Sequence, residues 1–291
     1  MPSSYIQLEI TTSPSVFDEL IGLLNLAGIE GFWEDGSTLK CYVDSGQWSS
    51  DKFGDIREAL NVVTRSYGLP EPYVTSKSIH DQNWNEAWEK TVRPIQVTER
   101  IIITPTWHDC SPTPGQIVLT VDPKMSFGTG YHETTRLGLK LLERHVNPGS
   151  TLLDIGTGTG VLAIAGVKLG SARAVAVDND EWAITNALEN VRLNRVESSV
   201  TIIHGQLAQI PEEPFDLITA NMHRRIIVQL LDGIKKRLAP KGVLLLSGLL
   251  DADEGAIIDA LHQTGFRLIE ELQENEWIAL AATRRQRGPD T

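Results

Sequence analysis

The pattern of apolar and polar residues over the first eighty positions predicts a small domain of strands and helices. Runs rich in apolar and β-branched residues predict strands over 5–11, 31–33, 38–43 and 73–79. Leu20, Leu23, Leu24 and Ala27 recur at helical spacing within a helix predicted over 15–27, and a second helix is predicted over 51–67. The order strand, helix, strand, strand, helix, strand predicts a ferredoxin-like α+β fold for residues 1–80.

The segment 81–99 is predicted to be a polar linker helix. Trp84 and Trp88 stand four residues apart and therefore on one helix face. We favour a structural role, in which they hold one domain against the other, over an aromatic pair that binds substrate. Beyond the linker, strands are predicted over 100–105 and 116–122, with 111–115 as the turn between them.

From residue 131 onward, predicted helices and strands alternate, which is typical of a parallel sheet with helices on both faces. Predicted strands include 173–177, 200–204, 215–220 and 242–247, and predicted helices include 161–169, 181–194, 224–238 and 253–264. The last two strands, 267–273 and 277–282, are so close in sequence that they must be antiparallel neighbours. Residues 100–291 are thus predicted to form a Rossmann-like, seven-stranded domain of the class I methyltransferase type.

A glycine-rich turn follows the strand that begins at Thr151. Its pattern is Asp-x-Gly-x-Gly-x-Gly, formed by Asp154, Gly156, Gly158 and Gly160. A dinucleotide site has its third glycine three residues after the second, but Val161 occupies that position here. Glycines let backbone approach a ligand closely, and an acidic strand end suits the cationic part of S-adenosylmethionine. The turn therefore predicts S-adenosylmethionine as the cofactor.

The next predicted strand ends at Asp178, about twenty residues beyond the first glycine, where an acidic side chain can accept hydrogen bonds from both ribose hydroxyls. Asn179 and Asp180 are interpreted as capping residues of the following helix. Two separated features thus agree on an adenosine cofactor.

The loop 122–136 concentrates glycine, hydroxyl and imidazole groups at the start of a helix. Phe127 is expected to cover one face of the cofactor, within a cofactor-binding loop that also contains Gly128, Thr129 and Gly130. Thr134 or Thr135 can bind the cofactor carboxylate or cap the helix, or do both. For His132 two roles remain open, contact with the loop or cofactor and general base catalysis, and we favour the first.

Asn221 ends the predicted strand 215–220, at the sheet edge where ligands bind in open α/β folds. Its carboxamide oxygen can accept an N–H from a substrate amine and leave the nitrogen lone pair directed at the methyl group. The alternative is an asparagine chosen for a turn. Arg224 and Arg225 are expected to be solvated helix residues.

Composition and charge restrict the classes of partner. A chain of 291 residues is comfortable for two domains, and the net charge of −12 disfavours direct nucleic-acid binding while suiting a basic protein substrate. The two cysteines, Cys41 and Cys110, are far apart and lack metal-ligand neighbours, so neither a disulfide framework nor a metal site is expected. Without a signal-peptide pattern or a spanning apolar run, the protein is expected to be cytoplasmic and without membrane contact. The basic cluster 284–287 is expected to be a frayed terminus.

These motifs together resemble the bacterial ribosomal protein methyltransferase family PrmA over nearly the whole chain. The residues that carry the resemblance are 81–84 with Trp88, 127–130 with His132, Thr134 and Thr135, the turn 154–160, Asp178, 220–221, 247–248 and 276–277. The resemblance implies transfer of methyl groups from S-adenosylmethionine to lysine ε-amines and the N-terminal α-amine of large-subunit ribosomal protein eleven. It also implies a substrate-recognition role for the small domain, and it matches Thr135, Gly156, Asp178 and Asn221 to cofactor-binding positions. A monomer is expected.

Two segments depart from the family pattern. Tyr131 and Glu133 stand where the family usually has Thr and Pro, and Asn221-Met222-His223-Arg224 stands where it usually has Asn-Ile-Leu-Ala. The second departure lies at the rim of the methyl-transfer site and bears on substrate choice. The alternative functions are methylation of another protein lysine or of RNA, and a cofactor-dependent module that binds the ribosome without catalysis. A nicotinamide-dependent oxidoreductase ranks low, because it should show the other glycine spacing.

Overall fold

The structure, a computed structural model, describes residues 4–26, 29–80, 93–122, 128 and 130–285. Contacts divide the chain into two compact units, Met1–Trp88 and Glu89–Thr291. Residues 81–92 lie outside the described residues, and with them Trp84 and Trp88 and most of the predicted linker helix. The assignment of 81–99 to a linker therefore stays a prediction.

The amino-terminal unit has the predicted ferredoxin-like order of elements. Its strands are β1 (Ser4–Thr11), β2 (Glu30–Asp35), β3 (Thr38–Asp44) and β4 (Tyr73–His80), and its helices are α1 (Phe17–Leu26) and α2 (Ser50–Ser66). The strand order is β2-β3-β1-β4, with every pairing antiparallel. The central strands β1 and β3 are separated in sequence by α1 and β2, as the predicted ferredoxin-like order of elements requires.

Alternation along the central strands builds the core of this unit. Leu8 and Ile10 on β1 are fully buried, as are Leu39 and Cys41 on β3. They form one cluster with apolar residues of both helices, namely Phe17, Leu20, Leu24, Ile56 and Leu60. Burial raises the pKa of the Cys41 thiol to about 12, so this cysteine behaves as a small apolar residue of the core.

The carboxy-terminal unit is a doubly wound α/β domain. Its large sheet contains β8 (Thr151–Ile155), β9 (Arg173–Asp178), β10 (Val200–His204), β11 (Phe215–Asn221), β12 (Leu238–Leu250), β13 (Phe266–Glu274) and β14 (Trp277–Arg284). The helices are α3 (Glu133–His145), α4 (Val161–Leu169), α5 (Glu181–Leu193), α6 (Arg224–Arg237) and α7 (Glu254–Thr264). The predicted alternation of helices and strands is confirmed.

The order of strands in this sheet is β10-β9-β8-β11-β12-β14-β13. All neighbours are parallel except at β14, which pairs antiparallel with both β12 and β13. The chain starts at β8 in the middle, moves outward to β10 and then returns to β11 on the other side. The order therefore reverses between β8 and β11, and this switch point is where open α/β sheets bind ligands.

A small second sheet contains β5 (Ile95–Gln96), β6 (Ile101–Thr104) and β7 (Ile117–Thr120). Both longer strands were predicted, but the turn between them does not make a hairpin, because β6 and β7 pair in parallel. Parallel neighbours need a crossover of about a dozen residues, and 105–116 supplies one. The antiparallel partner of β6 is β5, which immediately precedes it.

Two apolar clusters cover the two faces of the large sheet. One joins the sheet to α3, α4 and the small sheet through residues such as Leu139, Ile164 and Ile101. The other joins the opposite face to α6 and α7 through residues such as Ile227, Leu231 and Ile257. In the part of the chain that the structure describes, no helix has the length and apolar composition to span a membrane.

Candidate active site

A cavity of about 520 Å³ opens at the carboxyl ends of β8, β9 and β11, at the switch point of the sheet. Seven of the sequence-predicted site residues line it: Gly128, His132, Thr134, Gly156, Gly158, Asp178 and Asn221. Gly130, Thr135, Asp154 and Gly160 do not line it, and Phe127 and Thr129 lie outside the described residues. The structure thus brings together residues that are separated by almost one hundred positions in sequence.

The glycine turn after β8 is left-handed at each of its three glycines. The φ angles are 68° at Gly156, 53° at Gly158 and 80° at Gly160, a region that residues with a Cβ atom rarely adopt. Gly160 is buried and precedes the first residue of α4. A Cβ atom on Gly156 would also lie 2.1 Å from Cε of Met222, so this glycine leaves room for the Met222 side chain at the cavity wall.

Asp154 lies beneath the turn rather than in the cavity. It is 1% exposed, and its two carboxylate oxygens accept hydrogen bonds of 2.6 Å from the hydroxyls of Thr157 and Thr219. Thr157 belongs to the glycine turn and lines the cavity, whereas Thr219 precedes Asn221 on β11. Burial raises the pKa of Asp154 to about 6. Asp154 therefore connects the turn to the neighbouring strand from below.

Asp178 faces the same turn from the end of β9. One carboxylate oxygen accepts the backbone N–H of Gly158 at 2.9 Å, and the other accepts the backbone N–H of Asp180 at 3.1 Å. Each carboxylate oxygen can accept more than one hydrogen bond, so both retain acceptor capacity toward the cavity. Asp180 caps α5 by accepting the N–H of Trp182, as expected from the sequence.

Hydrogen bonds from Thr159 and Asn190 support the turn from behind. The Thr159 hydroxyl donates to the carbonyl of Gly128 at 2.9 Å, and a Cβ atom on Gly128 would lie 2.6 Å from that hydroxyl. The Asn190 amide donates to the carbonyl of Thr159 at 2.9 Å, and its oxygen accepts the N–H of Asp122 at 3.2 Å. One buried side chain of α5 thus holds both the glycine turn and the start of the loop 122–136.

His132 occupies the position before α3 and forms one wall of the cavity. Its Nδ1 accepts the backbone N–H of Thr134 at 3.3 Å and lies 2.9 Å from the Thr134 hydroxyl. The His132 ring packs edge-on against Trp277, with ring centroids 4.8 Å apart. Thr135, on the same first turn, is fully buried, and its hydroxyl has no hydrogen-bond partner among the described residues.

Asn221 lies at the carboxyl end of β11, directly opposite Ser247 of β12. Within the described residues its carboxamide makes no hydrogen bond, so it is available to a ligand. The pairing of β12 with β14 shifts register between Leu246 and Leu249, and Gly248 in this bulge has a φ of 81°. A Cβ atom on Gly248 would lie 2.7 Å from the carbonyl oxygen of Met222 and 2.9 Å from Oδ1 of Asn221.

The cavity wall also contains residues that the sequence reasoning did not single out as site residues, among them Thr157, Met222, His223, Gly248 and Trp277. Four of them had a sequence signal, because Met222 and His223 belong to the segment that departs from the family pattern, and Gly248 and Trp277 belong to segments that carry the resemblance. His223 follows Asn221 by two residues, and Gly248 follows a strand predicted to end at the same sheet edge. Trp277 reaches the cavity only because β14 runs antiparallel beside β12, which spacing along the chain does not reveal.

Comparisons with known proteins agree on one family. The family model described as ribosomal protein L11 methyltransferase (PrmA) matches residues 6–285. The chain belongs to this family. The protein named ribosomal protein L11 methyltransferase from Chlorobaculum tepidum is 36% identical over 280 residues, which cover 95% of each chain. The protein of that name from Listeria innocua is 34% identical over 257 residues, which cover 88% of this chain and 82% of the relative.

A solved structure supports the same assignment. The crystal structure of ribosomal protein L11 methylase from Lactobacillus delbrueckii subsp. bulgaricus has a TM-score of 0.63 and 31% identity to this chain. The match covers 67% of this chain and all of that chain. Family membership makes the chain an enzyme that transfers methyl groups from S-adenosylmethionine, and it confirms the cofactor and the class I methyltransferase fold predicted from the sequence.

The described residues fit S-adenosylmethionine. Gly156 and Gly158 have no side chain of their own, so their backbone is accessible to a ligand. The Asp178 carboxylate lines the cavity, where it can accept hydrogen bonds from the two hydroxyl groups of a ribose. The amino end of α3 offers the Thr134 hydroxyl, and the amino end of a helix favours a carboxylate. A basic residue that would repel the sulfonium is absent from the described cavity wall, apart from the imidazoles of His132 and His223.

Proposed function

We propose that this enzyme methylates amino groups of ribosomal protein L11, on lysine ε-amines and on the N-terminal α-amine. The full-length similarity to ribosomal protein L11 methyltransferases supports the choice of substrate. The observation that carries the proposal is the open carboxamide of Asn221 at the mouth of the cavity that fits the cofactor. We further propose that the enzyme acts as a monomer in the cytoplasm.

The cofactor is assigned to three groups of residues. Asp178 accepts the ribose hydroxyls, since its carboxylate is already oriented by Gly158 and Asp180. Gly156 and Gly158 offer backbone against the methionyl part of the cofactor. Thr134 offers a hydroxyl to the cofactor carboxylate, at the positive end of α3. Thr135, Asp154 and Gly160 support this arrangement from behind the cavity wall, because each is buried and none lines the cavity.

Bound S-adenosylmethionine supplies a methyl group on a positively charged sulfur. Asn221 accepts one N–H of the neutral substrate amine through its Oδ1. This hydrogen bond fixes the direction of the nitrogen lone pair. A displacement at carbon depends mainly on such alignment. His132 is proposed to shape the wall through Thr134 and Trp277, and the general-base role remains the alternative for this residue.

The amine must lose a proton before it can attack. A lysine has a solution pKa of about 10.4, and transfer into a partly closed cavity lowers it because burial disfavours the charged form. The net charge of −12 favours a basic protein over RNA as the methylated substrate. Mass spectrometry of L11 can test both the substrate and the site.

The experiment incubates purified L11 with the enzyme and S-adenosylmethionine and maps mass gains of one, two or three methyl groups to individual amines. We expect gains on lysines and on the N-terminus with the parent enzyme, and none above background with Asn221→Ala. A matched control is Asn147→Ala, which removes an exposed carboxamide that does not line the cavity. No gain on L11 with the parent, despite cofactor binding, would refute the proposed substrate.

A further inference from the structure

A second cavity, of about 570 Å³, lies at the opposite edge of the large sheet and is strongly basic. Its lining consists of Pro240, Lys241, Arg267, Thr283, Arg284 and Arg285. Lys241 lies near the start of β12 and Arg267 near the start of β13, which runs in the same direction, whereas Arg284 lies at the end of β14, which runs in the opposite direction. All three strand ends therefore meet at the amino edge of the sheet, away from the cofactor cavity.

The register of the strands fixes this cluster. Thr283 on β14 pairs with Arg267 on β13 and with Val243 on β12, so Lys241 is two residues from this row. Arg284 is anchored, because its guanidinium donates to the carbonyl of Lys235, and the backbone N–H of Arg285 donates to Gly265 at 2.9 Å. The predicted frayed terminus is thus ordered at Arg284, the last residue of β14.

In the part of the chain that the structure describes, no carboxylate neutralises the charges of this cavity. Among the described residues, no acidic side chain forms an ion pair with Lys241, Arg267 or Arg285, whereas exposed cations such as Arg57 and Arg173 do have carboxylate partners. The Nε of Arg284 is buried and has no described acceptor. In a chain with 38 acidic and 26 basic residues, three cations around one cavity that have no ion-pair partner among the described residues favour an external anion.

The type of anion follows from the donors. Guanidinium groups offer a planar fork that suits the oxygens of a phosphate group, and a lysine adds a point charge. In a cavity of this volume, a single phosphate group would contact only some of the basic side chains that line it. Several phosphate groups joined in a row would engage Lys241, Arg267 and Arg285 at the same time.

We propose that this cavity is a binding site for linked phosphate groups, supplied by a free polyphosphate or by the backbone of an RNA strand. The site is separate from the methyl-transfer cavity, so it binds the anion without presenting it for methylation. It acts independently of the proposed choice of protein substrate, and its failure would leave that proposal intact.

The test measures binding of inorganic tripolyphosphate and of a single-stranded oligouridylate, each titrated calorimetrically into the full-length enzyme at several salt concentrations. The variant is Lys241→Gln/Arg267→Gln. The control is Arg65→Gln/Arg192→Gln, which changes the net charge by the same amount at two exposed cations outside the cavity. Thermal unfolding and binding of S-adenosylmethionine serve as checks that both variants are folded.

We expect the variant to weaken binding at least tenfold and the control to change it less than twofold. For the oligonucleotide, loss of two phosphate contacts should also reduce the slope of log affinity against log salt by about 1.4. Binding of tripolyphosphate alone identifies a free polyphosphate as the source, and tighter binding of the oligonucleotide identifies RNA. No binding of either probe, or equal weakening by variant and control, would overturn the proposal.

Discussion

At the residue scale, the position of Asn221 depends on a glycine of the neighbouring strand. Gly248 has a φ of 81° and leaves no space for a Cβ atom beside the backbone of Met222. The sequence predicted Asn221 at this edge, because a strand of apolar residues ends there. It did not predict the role of Gly248, because a register shift within a long strand has no local sequence signature beyond the glycine itself.

Gly248→Ala should therefore reduce kcat more strongly than it reduces the stability of the fold. The new methyl group would contact backbone atoms of Met222 and displace the Asn221 carboxamide, so we expect kcat to fall at least tenfold. Gly255→Ala is the control, since a Cβ atom there meets nothing within 4 Å. Steady-state kinetics and thermal unfolding of both variants test this, and a Gly248→Ala enzyme with kcat within twofold of the parent would contradict it.

Asp154 should make stability depend on pH in a defined direction. Its pKa is raised from 3.8 to about 6, so the folded protein holds a proton that the unfolded chain releases. The stabilisation from this group is complete below about pH 3.8 and is lost as pH rises through about 6, a change of about 3 kcal/mol. Asp154→Asn removes this dependence.

Urea unfolding of the parent and of Asp154→Asn at about pH 4 and about pH 7.5 measures the effect. We expect the free energy of unfolding of the parent to fall relative to that of the variant as pH rises. A difference between the two proteins that stays constant with pH would show that Asp154 does not titrate in this range.

At the element scale, α5 and its carboxy-terminal capping residue Asn194 join the edge strand β7 and the glycine turn through buried asparagines. Asn194 exchanges two hydrogen bonds with the backbone of Thr120, of 3.0 and 2.6 Å, as a neighbouring strand would. Asn190 donates one hydrogen bond to the carbonyl of Thr159, and its oxygen accepts the N–H of Asp122. The spacing of Asn186, Asn190 and Asn194 at four-residue intervals is visible in the sequence, and buried polar side chains at that spacing would have indicated backbone partners.

Asn190→Ala should destabilise the protein and weaken cofactor binding together. The substitution leaves the N–H of Asp122 and the carbonyl of Thr159 without their partner, which costs about 1–3 kcal/mol. Arg192→Ala, on the exposed face of the same helix, is the control. Calorimetric titration with S-adenosylmethionine and chemical unfolding test this, and an unchanged free energy of unfolding would contradict it.

The direction of strand pairing could be predicted from the sequence for one pair of strands but not for another. β13 and β14 are separated by only a few residues, so the sequence predicted that they pair antiparallel, and this prediction is confirmed. The parallel pairing of β6 with β7 was missed, because a proline- and glycine-containing segment between two strands is equally compatible with a turn and with a crossover. Its length of about a dozen residues was the available signal.

At the scale of the whole molecule, the net charge of −12 should accelerate encounter with a basic protein substrate. We expect kcat/KM for L11 to fall as ionic strength rises from about 0.05 M to about 0.5 M, while kcat stays within twofold, because screening acts on association. Initial-rate kinetics over this range measure it. An unchanged or rising kcat/KM would show that long-range charge does not guide the substrate.

The most direct test of the central claim compares Asp178→Ala with Asn221→Ala in two assays, calorimetric binding of S-adenosylmethionine and single-turnover methyl transfer to L11. Asp178 is assigned to hold the cofactor and Asn221 to orient the amine. We expect Asp178→Ala to weaken cofactor binding at least tenfold. We expect Asn221→Ala to bind the cofactor within about threefold of the parent but to transfer methyl at least a hundredfold more slowly. Equal effects of the two substitutions on binding, or normal transfer by Asn221→Ala, would contradict this division of roles.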